Sequence, residues 1–499
     1  MKMNVNLVTK SVVVALTAGI MSSAVVAQVI QSNDKWFKDG QATLQEKINA
    51  KRINNFAKNV ILFVADGNGV TSNTAIRLYK GQKEGGSGED HILTYEGFPN
   101  LALAKTYNTN AQTPDSAGTA TAFLSGVKTK AGVLNISSHV DRGDCATALK
   151  NEVTTILELA EKAGKSTGVV STARITHATP AAAYAHSSDR NYEDDSQLST
   201  EQKLAGCIDI AQQALNANLD VLFGGGRRHF IPTTMIDGEG KAGKRTDGRN
   251  LPNEWINKYK NASYVWDQAG FDKIKTEKTG PVLGLFNSSH MEYEADRLKD
   301  KGGEPSLAEM TSKAIDILDN NKKGYFLLVE SGRIDHAHHA GNAARALQDG
   351  AAFDDAVKIA LNKTYLEDTL IIVTADHAHT LSMQGYAKRG NPILGLSVGY
   401  DSKGHPKTTP NLSDDGKPYT TLSYINGPGA IANKREDLSN VDTTDVDYIQ
   451  QALLPMSSES HAGQDVAVYA RGPKAWLMDG TIEQNYIFHL MAYASGLVK

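Results

Sequence analysis

The stretch Thr113-Pro-Asp-Ser-Ala-Gly-Thr-Ala-Thr-Ala122 contains a serine whose surroundings can support nucleophilic chemistry. Ser116 follows a proline and an acid and precedes small residues, so the pattern predicts a helix that begins at or just after it. A hydroxyl there lies over unpaired backbone N–H groups and the positive end of a helix dipole, where a phosphate can bind. Serine at a helix start is also a common cap, so a nucleophile needs metals and bases from elsewhere in the chain.

Carboxylates and imidazoles occur in the loops beside four apolar runs of the chain. They are Asp66 after 59–65, Glu330, Asp335 and His339 after 325–329, Asp376 and His377 after 369–374, and His461 before 466–470. Asp335 and His339 are four residues apart and face the same way on a helical turn. Carboxylates with imidazoles suit Zn²⁺, whereas Asp66 and Glu330 with a hydroxyl suit Mg²⁺. In isolation the histidine-rich tract also fits a solvated turn, and we expect His338 and His379 to support the site rather than bind metal.

The elements that must position these residues follow an alternating pattern. Six short apolar runs predict buried parallel strands at 59–65, 166–171, 220–223, 325–329, 369–374 and 466–470, and helical segments are expected at 152–163, 201–216, 306–320 and 342–362. Alternating strands and helices predict an α/β fold with a mainly parallel sheet and helices on both faces. Such sheets bind ligands at the carboxyl ends of their strands. Residues 383–459, rich in Gly, Pro, Asn, Asp and Tyr, indicate an insertion.

Composition argues against a nucleic-acid-binding protein, and the N-terminus indicates an exported one. The chain has 499 residues and a net charge of −4, so it lacks the basic balance of a nucleic-acid binder. Lys2 and Lys10, an apolar run and small residues before Ala27 are typical of a signal peptide over residues 1–27. An uncleaved anchor helix is the alternative. We expect an exported mature chain, periplasmic or secreted, without a membrane anchor.

Two cysteines, Cys145 and Cys207, occur in the chain. Export permits a disulfide between them, and two separate buried thiols are the alternative.

Taken together, these motifs resemble the alkaline phosphatase family. The resemblance rests on Asp66-Gly-Asn-Gly69, Asp115-Ser116-Ala, Glu330 to His339, Thr374 to His379 and His461-Ala-Gly463, and it extends from about residue 55 to 490. It implies a three-layer α/β/α sandwich in which residues 383–459 form a surface "crown" insertion. It also implies hydrolysis of a broad range of phosphomonoesters at alkaline pH through a phosphoserine, and a homodimer.

The resemblance also implies a role for each matching residue. One zinc would be held by Asp335, His339 and His461, the second by Asp66, Asp376, His377 and the Ser116 hydroxyl, and one magnesium by Asp66, Glu330 and Thr179. Arg190 would clamp two phosphate oxygens, for which a planar guanidinium is suited. One zinc would activate Ser116, and the other would stabilise the leaving alkoxide and then activate water.

The family varies at two positions beside this site. A well-known bacterial branch has an aspartate and a lysine where this chain has His177 and His336, which resemble the animal branch and some marine bacterial enzymes. The cysteines match an animal-branch disulfide, Cys145–Cys207. A glutamate that binds calcium in that branch is replaced here by Asn287, so the resemblance leaves the presence of a calcium site open.

Three other functions compete with this interpretation. A sulfatase needs a Cys/Ser-x-Pro-x-Arg signature, which the residues after Ser116 lack. A related phosphodiesterase typically uses threonine as nucleophile and lacks the magnesium ligands. A non-catalytic scavenger of zinc or phosphate would be expected to lose Ser116, Arg190 or a zinc ligand.

Overall fold

A computed structural model describes residues 29–277, 279–431 and 434–498, so the expected signal peptide lies outside the described residues. The described residues form two compact units, of which the first ends at Lys51 and the second begins at Arg52. In the first, a 3₁₀ turn (Ile30–Asn33) precedes helix α1 (Lys35–Asn49), which is capped by the Asp34 side chain and buries no residue. Among the described residues, no helix combines the length and apolarity needed to cross a bilayer.

The second unit is built around β-strands. Fifteen strands occur in the described residues: β1 (Asn59–Ala65), β2 (Asn100–Lys105), β3 (Ser166–Arg174), β4 (Val221–Gly225), β5 (Ser263–Val265), β6 (Val282–Leu285), β7 (Tyr325–Ser331), β8 (Thr369–Thr374), β9 (Ala378–His379), β10 (Leu381–Met383), β11 (Leu422–Gly427), β12 (Ala452–Pro455), β13 (His461–Ala462), β14 (Val466–Arg471) and β15 (Gly480–Glu483). Ten of them form one sheet in the order β15-β2-β14-β8-β1-β7-β3-β4-β6-β5. All neighbours in it are parallel except β14, which is antiparallel to β2 and β8.

Helices follow or precede most of these strands. Those of the second unit are α2 (Val70–Lys83), α3 (Ser116–Ser125), α4 (Cys145–Ala148), α5 (Ile156–Lys162), α6 (Ala178–Ala181), α7 (Thr200–Leu204), α8 (Ile210–Asn216), α9 (Leu251–Lys258), α10 (Gln268–Asp272), α11 (Leu307–Leu318), α12 (Arg333–His339), α13 (Ala343–Lys363) and α14 (Tyr486–Ala494). Short 3₁₀ turns lie at Thr94–Gly97, Asp195–Gln197, Arg227–His229, Arg297–Lys299, Leu438–Asn440 and Ala475–Leu477.

The large sheet separates two hydrophobic cores. Because successive strand residues point to opposite faces, Val60, Leu62 and Val64 of β1 pack into one core with α3, α5, α8 and α14. Ile61 and Phe63 pack into the other core with α2, α11 and α13. This arrangement confirms the expected α/β/α sandwich.

Three predictions from the sequence need correction, one of a strand direction and two of helix boundaries. Residues 466–470 do form a strand, but β14 is antiparallel because the chain enters it from β13, which pairs with β9 just beyond the carboxyl end of β8. The helix expected at 201–216 is interrupted, since α7 ends at Leu204 and α8 begins only at Ile210. The helix expected from residue 152 begins at Ile156, where Thr155 and Glu158 form a capping box.

The segment 383–459 contains most of a smaller sheet of three strands, in the order β10-β11-β12. Its remaining described residues are turns, isolated bridges and one 3₁₀ turn. The composition of this segment therefore indicated correctly that few of its residues lie in regular elements.

A disulfide joins Cys145, at the start of α4, to Cys207, between α7 and α8, with the Cα atoms 5.3 Å apart. The alternative of two free thiols is wrong. The break between α7 and α8 has a local cause, since Gly206 leaves α7 in the left-handed region with φ of 97° and the Asp209 side chain caps α8 by accepting from Gln212 N at 2.9 Å.

Candidate active site

Ser116 is the first residue of α3, as the sequence predicts. Asp115 caps this helix by accepting a hydrogen bond from Gly118 N at 3.1 Å, so the capping role falls to Asp115 rather than to the serine. Ser116 is buried, and its Oγ lies 3.2 Å from His377 Nε2. Its hydroxyl is therefore directed at the acid–imidazole groups rather than at its own helix.

The order of strands in the sheet explains why distant parts of the sequence meet here. Strands β8, β1, β7 and β3 are neighbours and parallel, so their carboxyl ends lie side by side. Asp376 follows β8, Asp66 follows β1, Glu330 lies near the end of β7, and Thr179 follows β3 on the short helix α6. Each of these four side chains is buried.

A first group comprises Asp335 and His339 of α12 and His461 of β13. Asp335 Oδ1 lies 3.4 Å from His339 Nε2 and 3.3 Å from His461 Nε2, and the two imidazole nitrogens are 3.1 Å apart. The Nδ1 atoms of these rings donate to the carbonyl oxygens of Glu459 (2.5 Å) and Pro114 (2.8 Å). Both Nε2 lone pairs thus face the carboxylate, so the three side chains could together hold a zinc ion.

A second group surrounds the Ser116 hydroxyl. His377 Nε2 lies 3.2 Å from Asp376 Oδ2 and 3.6 Å from Asp66 Oδ1. The other oxygen of Asp376 accepts hydrogen bonds from the backbone N–H groups of Gly67 (3.0 Å) and His377 (2.8 Å). These bonds fix the carboxylate and leave its Oδ2 toward the imidazole.

A third group consists of oxygen atoms that lack hydrogen-bond partners. Both oxygens of Asp66, Oε1 of Glu330 and Oγ1 of Thr179 are buried and form no hydrogen bond to any described residue. Ser171 donates to the other Glu330 oxygen. Because unpaired buried oxygens are costly, these atoms fit the oxygen ligands of a hard divalent cation.

Electrostatics supports cation binding at all three groups. Burial, followed by repulsion from Asp376, Asp335 and Glu330, raises the pKa of Asp66 well above its ordinary value. Burial raises the pKa of Glu330 to about 7 and also raises that of Asp376. Burial opposes ionisation of Asp335 as well, but the surrounding imidazoles outweigh it and hold the pKa of Asp335 well below its usual range. Bound cations reduce the repulsion between crowded carboxylates of this kind and favour their ionised form.

Arg190 pairs with the residue that caps the serine helix. Its Nη1 donates to Asp115 Oδ2 at 3.1 Å and its Nη2 donates to His177 Nε2 at 3.1 Å. His177 is in turn near His336, with 5.5 Å between ring centroids. Burial holds the pKa of His177 well below its usual value and lowers that of His336 to about 3, so both rings are neutral at neutral pH.

Three residues beside the site escaped the sequence analysis or were given only a general role. His379, expected to support the site, donates through Nε2 to Asp335 Oδ1 at 2.7 Å, and its Nδ1 is bonded to Glu459. Glu459 is predicted from the sequence only as the last residue of the insertion. His290, in the loop after β6, lies against the ring of His336, with 4.1 Å between centroids. No local motif marks Glu459 or His290, because each reaches the site through tertiary folding alone.

Metal-dependent phosphoryl transfer is the chemistry that this arrangement defines, since the guanidinium beside Ser116 matches phosphate oxygens and the acid–imidazole groups match divalent cations. The particular family follows from comparison with known proteins. A family model described as alkaline phosphatase matches residues 57–497, and the chain therefore belongs to the alkaline phosphatase family. The chain is therefore an enzyme of the alkaline phosphatase class.

Individual relatives agree with this assignment. The chain is 43% identical to the tissue-nonspecific alkaline phosphatase of Gallus gallus, with 97% of this chain and 94% of the relative covered. It is 43% identical to the human tissue-nonspecific isozyme, with coverage of 95% and 91%. It is 45% identical to the alkaline phosphatase of Gadus morhua, with coverage of 92% and 96%.

Solved structures share the fold. The alkaline phosphatase of the Antarctic bacterium TAB5 superposes with a TM-score of 0.60 at 23% identity, covering 89% of this chain and all of that chain. The Thermus thermophilus enzyme gives a TM-score of 0.64 at 22% identity, with coverage of 95% and 96%.

Proposed function

We propose that this chain hydrolyses phosphate monoesters at alkaline pH through a phosphoserine formed on Ser116, and releases inorganic phosphate and an alcohol. The single observation that carries the proposal is the placement of the Ser116 hydroxyl. It is buried at the start of α3 and lies 3.2 Å from His377 Nε2, and the preceding residue, the helix cap Asp115, accepts a hydrogen bond from Arg190.

We propose two zinc ions and one magnesium ion as cofactors. Asp335, His339 and His461 would hold one zinc. The other metal ligands would be Asp66, Asp376, His377 and Ser116 Oγ for the second zinc, and Asp66, Glu330 and Thr179 for magnesium. When bound, such ions lower the pKa of a nearby hydroxyl, neutralise charge on the leaving oxygen and activate water. A solved mutant of the TAB5 enzyme has Mg bound.

The chain's own residues would bind and orient the phosphate. Ser116 Oγ would attack phosphorus in line with the leaving alcohol, and the Ser116–phosphate bond would later break when water attacks from the side that the alcohol left. Arg190 and the N–H groups at the start of α3 would stabilise the non-bridging oxygens. Asp115 would hold the Arg190 guanidinium in place through its hydrogen bond. Few other contacts are required, so we propose a broad range of phosphomonoester substrates.

The experiment that tests this function compares two chromogenic substrates. We expect rapid turnover of an aryl phosphomonoester and, at equal concentration, a rate at least about 100-fold lower for the corresponding phosphodiester. A monoester leaves two oxygens for Arg190 and a third for the proposed cation sites, whereas in a diester that third oxygen carries a second ester group. An aryl sulfate serves as control for sulfatase activity. Preferential cleavage of the diester or sulfate would assign the chain to a different activity, and no turnover of any ester would support the non-catalytic alternative.

His336 is expected to govern how tightly the product is held. Its neutral ring places no charge near Arg190, and a lysine there would add one. We therefore expect His336→Lys to lower the inhibition constant for phosphate by about 5- to 10-fold, as one partly screened charge contact does. The neutral variant His336→Gln is the matched control and should stay within about 2-fold of the parent. An unchanged inhibition constant in His336→Lys would contradict this role.

We also propose that the mature enzyme is an exported homodimer, periplasmic or secreted, after removal of residues 1–27. The disulfide Cys145–Cys207 supports export.

Exposed apolar side chains on and beside β12 support a dimer interface formed by the crown insertion, since Leu453, Leu454 and Met456 are 75%, 52% and 47% exposed. Light scattering on a gel-filtration column would measure the mass, and a monomer at micromolar concentration would contradict the dimer.

A further inference from the structure

The backbone that carries Arg190 is held by a neighbouring irregular segment. We call residues 187–190 the arginine turn and residues 130–145 the bracing segment. The backbone hydrogen bonds between them are Leu134 N to Ser187 O, Ser187 N to Leu134 O, Gly143 N to Ser188 O and Arg190 N to Gly132 O, each 2.9 Å long. The position of the Arg190 backbone therefore depends on the position of the bracing segment.

A second arginine joins the two segments through side chains. Arg142 donates to Asp189 through two parallel hydrogen bonds, Nε to Oδ2 at 2.9 Å and Nη2 to Oδ1 at 2.8 Å. Its guanidinium also lies directly over Gly132, where a Cβ atom would come within 2.5 Å of Arg142 Cζ. Gly132 N donates to Asp115 Oδ2 at 2.9 Å, the same oxygen that accepts from Arg190. Arg142 thus contacts both the neighbour of Arg190 and the residue that fixes its carboxylate partner.

The disulfide anchors the end of this arrangement. The Ser188 hydroxyl of the arginine turn lies 4.0 Å from Cys145 Sγ and 3.8 Å from Cys207 Sγ. Cys145 is the last residue of the bracing segment, so the bridge ties that segment to the chain before α8. The arginine turn therefore makes three kinds of contact: backbone hydrogen bonds, the Arg142–Asp189 pair, and the contacts of Ser188 with the disulfide sulfurs.

We propose that Arg142 is a positioning residue that sets the orientation of the Arg190 guanidinium for phosphate binding. Arg142 acts through Asp189 and Gly132 and does not itself touch the phosphate. A bidentate arginine–carboxylate pair fixes geometry more strictly than a single ion pair, and a small displacement of a phosphate clamp weakens the grip on phosphate. The inference rests on the proposed function, in which Arg190 binds the phosphate oxygens.

The test measures competitive inhibition by inorganic phosphate in the metal-loaded enzyme. We expect Arg142→Ala to raise the inhibition constant about 3- to 10-fold. Arg142→Lys keeps the charge but loses the bidentate hydrogen bonding, so it should raise the inhibition constant by a smaller factor. The matched control is Lys130→Ala, which removes an ion pair with Asp141 (2.5 Å) elsewhere in the same segment and should leave the constant unchanged. If Arg142→Ala does not fold, Asp189→Asn removes the same pair while it preserves side-chain shape.

Arg142→Ala in an Arg190→Ala background distinguishes the positioning role of Arg142 from the phosphate-binding role of Arg190. If Arg142 acts through Arg190, Arg142→Ala should have no further effect on phosphate inhibition once Arg190 is absent. An Arg190→Ala variant with unchanged phosphate inhibition would overturn the assigned role of Arg190. An Arg190→Ala variant with weakened inhibition, combined with an Arg142→Ala variant identical to the parent, would overturn the positioning role alone. Equal effects of Arg142→Ala with and without Arg190 would also overturn it.

Discussion

Replacing Ser116 with alanine is expected to lower kcat/KM for an aryl phosphomonoester by at least about 1000-fold, because it removes the nucleophile itself. The variant should fold, since Asp115 rather than Ser116 caps α3 through its bond to Gly118 N. A small residual rate is expected, since Arg190 and the remaining site residues would still bind and orient the ester for direct hydrolysis by water. Steady-state kinetics on the metal-loaded variant measures the loss.

A second serine of the same helix provides the control for this substitution. Ser125, at the other end of α3, is buried, and its hydroxyl donates to the Thr121 carbonyl oxygen at 2.7 Å. Ser125→Ala should reduce activity by less than about 3-fold, since it changes an internal helix contact only. If Ser116→Ala kept a tenth or more of the parent rate, a serine nucleophile would be excluded.

Removal of divalent metal is expected to have an effect of similar size. Dialysis against EDTA should abolish turnover, and addition of Zn²⁺ with Mg²⁺ should restore it, because chelation leaves the buried carboxylates without counterions and the serine without activation. Zn²⁺ alone should restore only part of the rate, since the partnerless oxygens of Glu330 and Thr179 suit a harder cation.

Metal analysis and circular dichroism are the controls for the chelation experiment. We expect two zinc ions and one magnesium ion per chain in the active form, and secondary structure close to native after chelation, because the cores on both faces of the sheet contain no proposed ligand. Full activity in protein shown to be metal-free would contradict the proposed ligand roles.

Local patterns in the sequence were sufficient to place the principal side chains. The small residues after Ser116 predicted α3, and the apolar runs before Asp66, Glu330 and Asp376 predicted the strands β1, β7 and β8 that end beside them. In a parallel sheet these ends necessarily lie at one edge, so the clustering of their carboxylates was predictable from local signals.

Features that depend on long-range geometry were not predictable in the same way. The direction of β14 depends on where the insertion returns the chain. Glu459 and His290 have no local signature of their roles, because each is brought to the site from a distant loop. Arg142 belongs to this group as well, since its partner Asp189 is 47 residues away.

Direct detection of the covalent intermediate tests the central claim most closely. The metal-loaded enzyme would be mixed with a ³²P-labelled phosphomonoester, quenched in acid during turnover, digested and analysed by mass spectrometry. We predict label on the peptide that contains Ser116, as phosphoserine at that residue, and no label in Ser116→Ala. Turnover of the ester without labelled Ser116, or label on a different residue, would contradict the proposed mechanism.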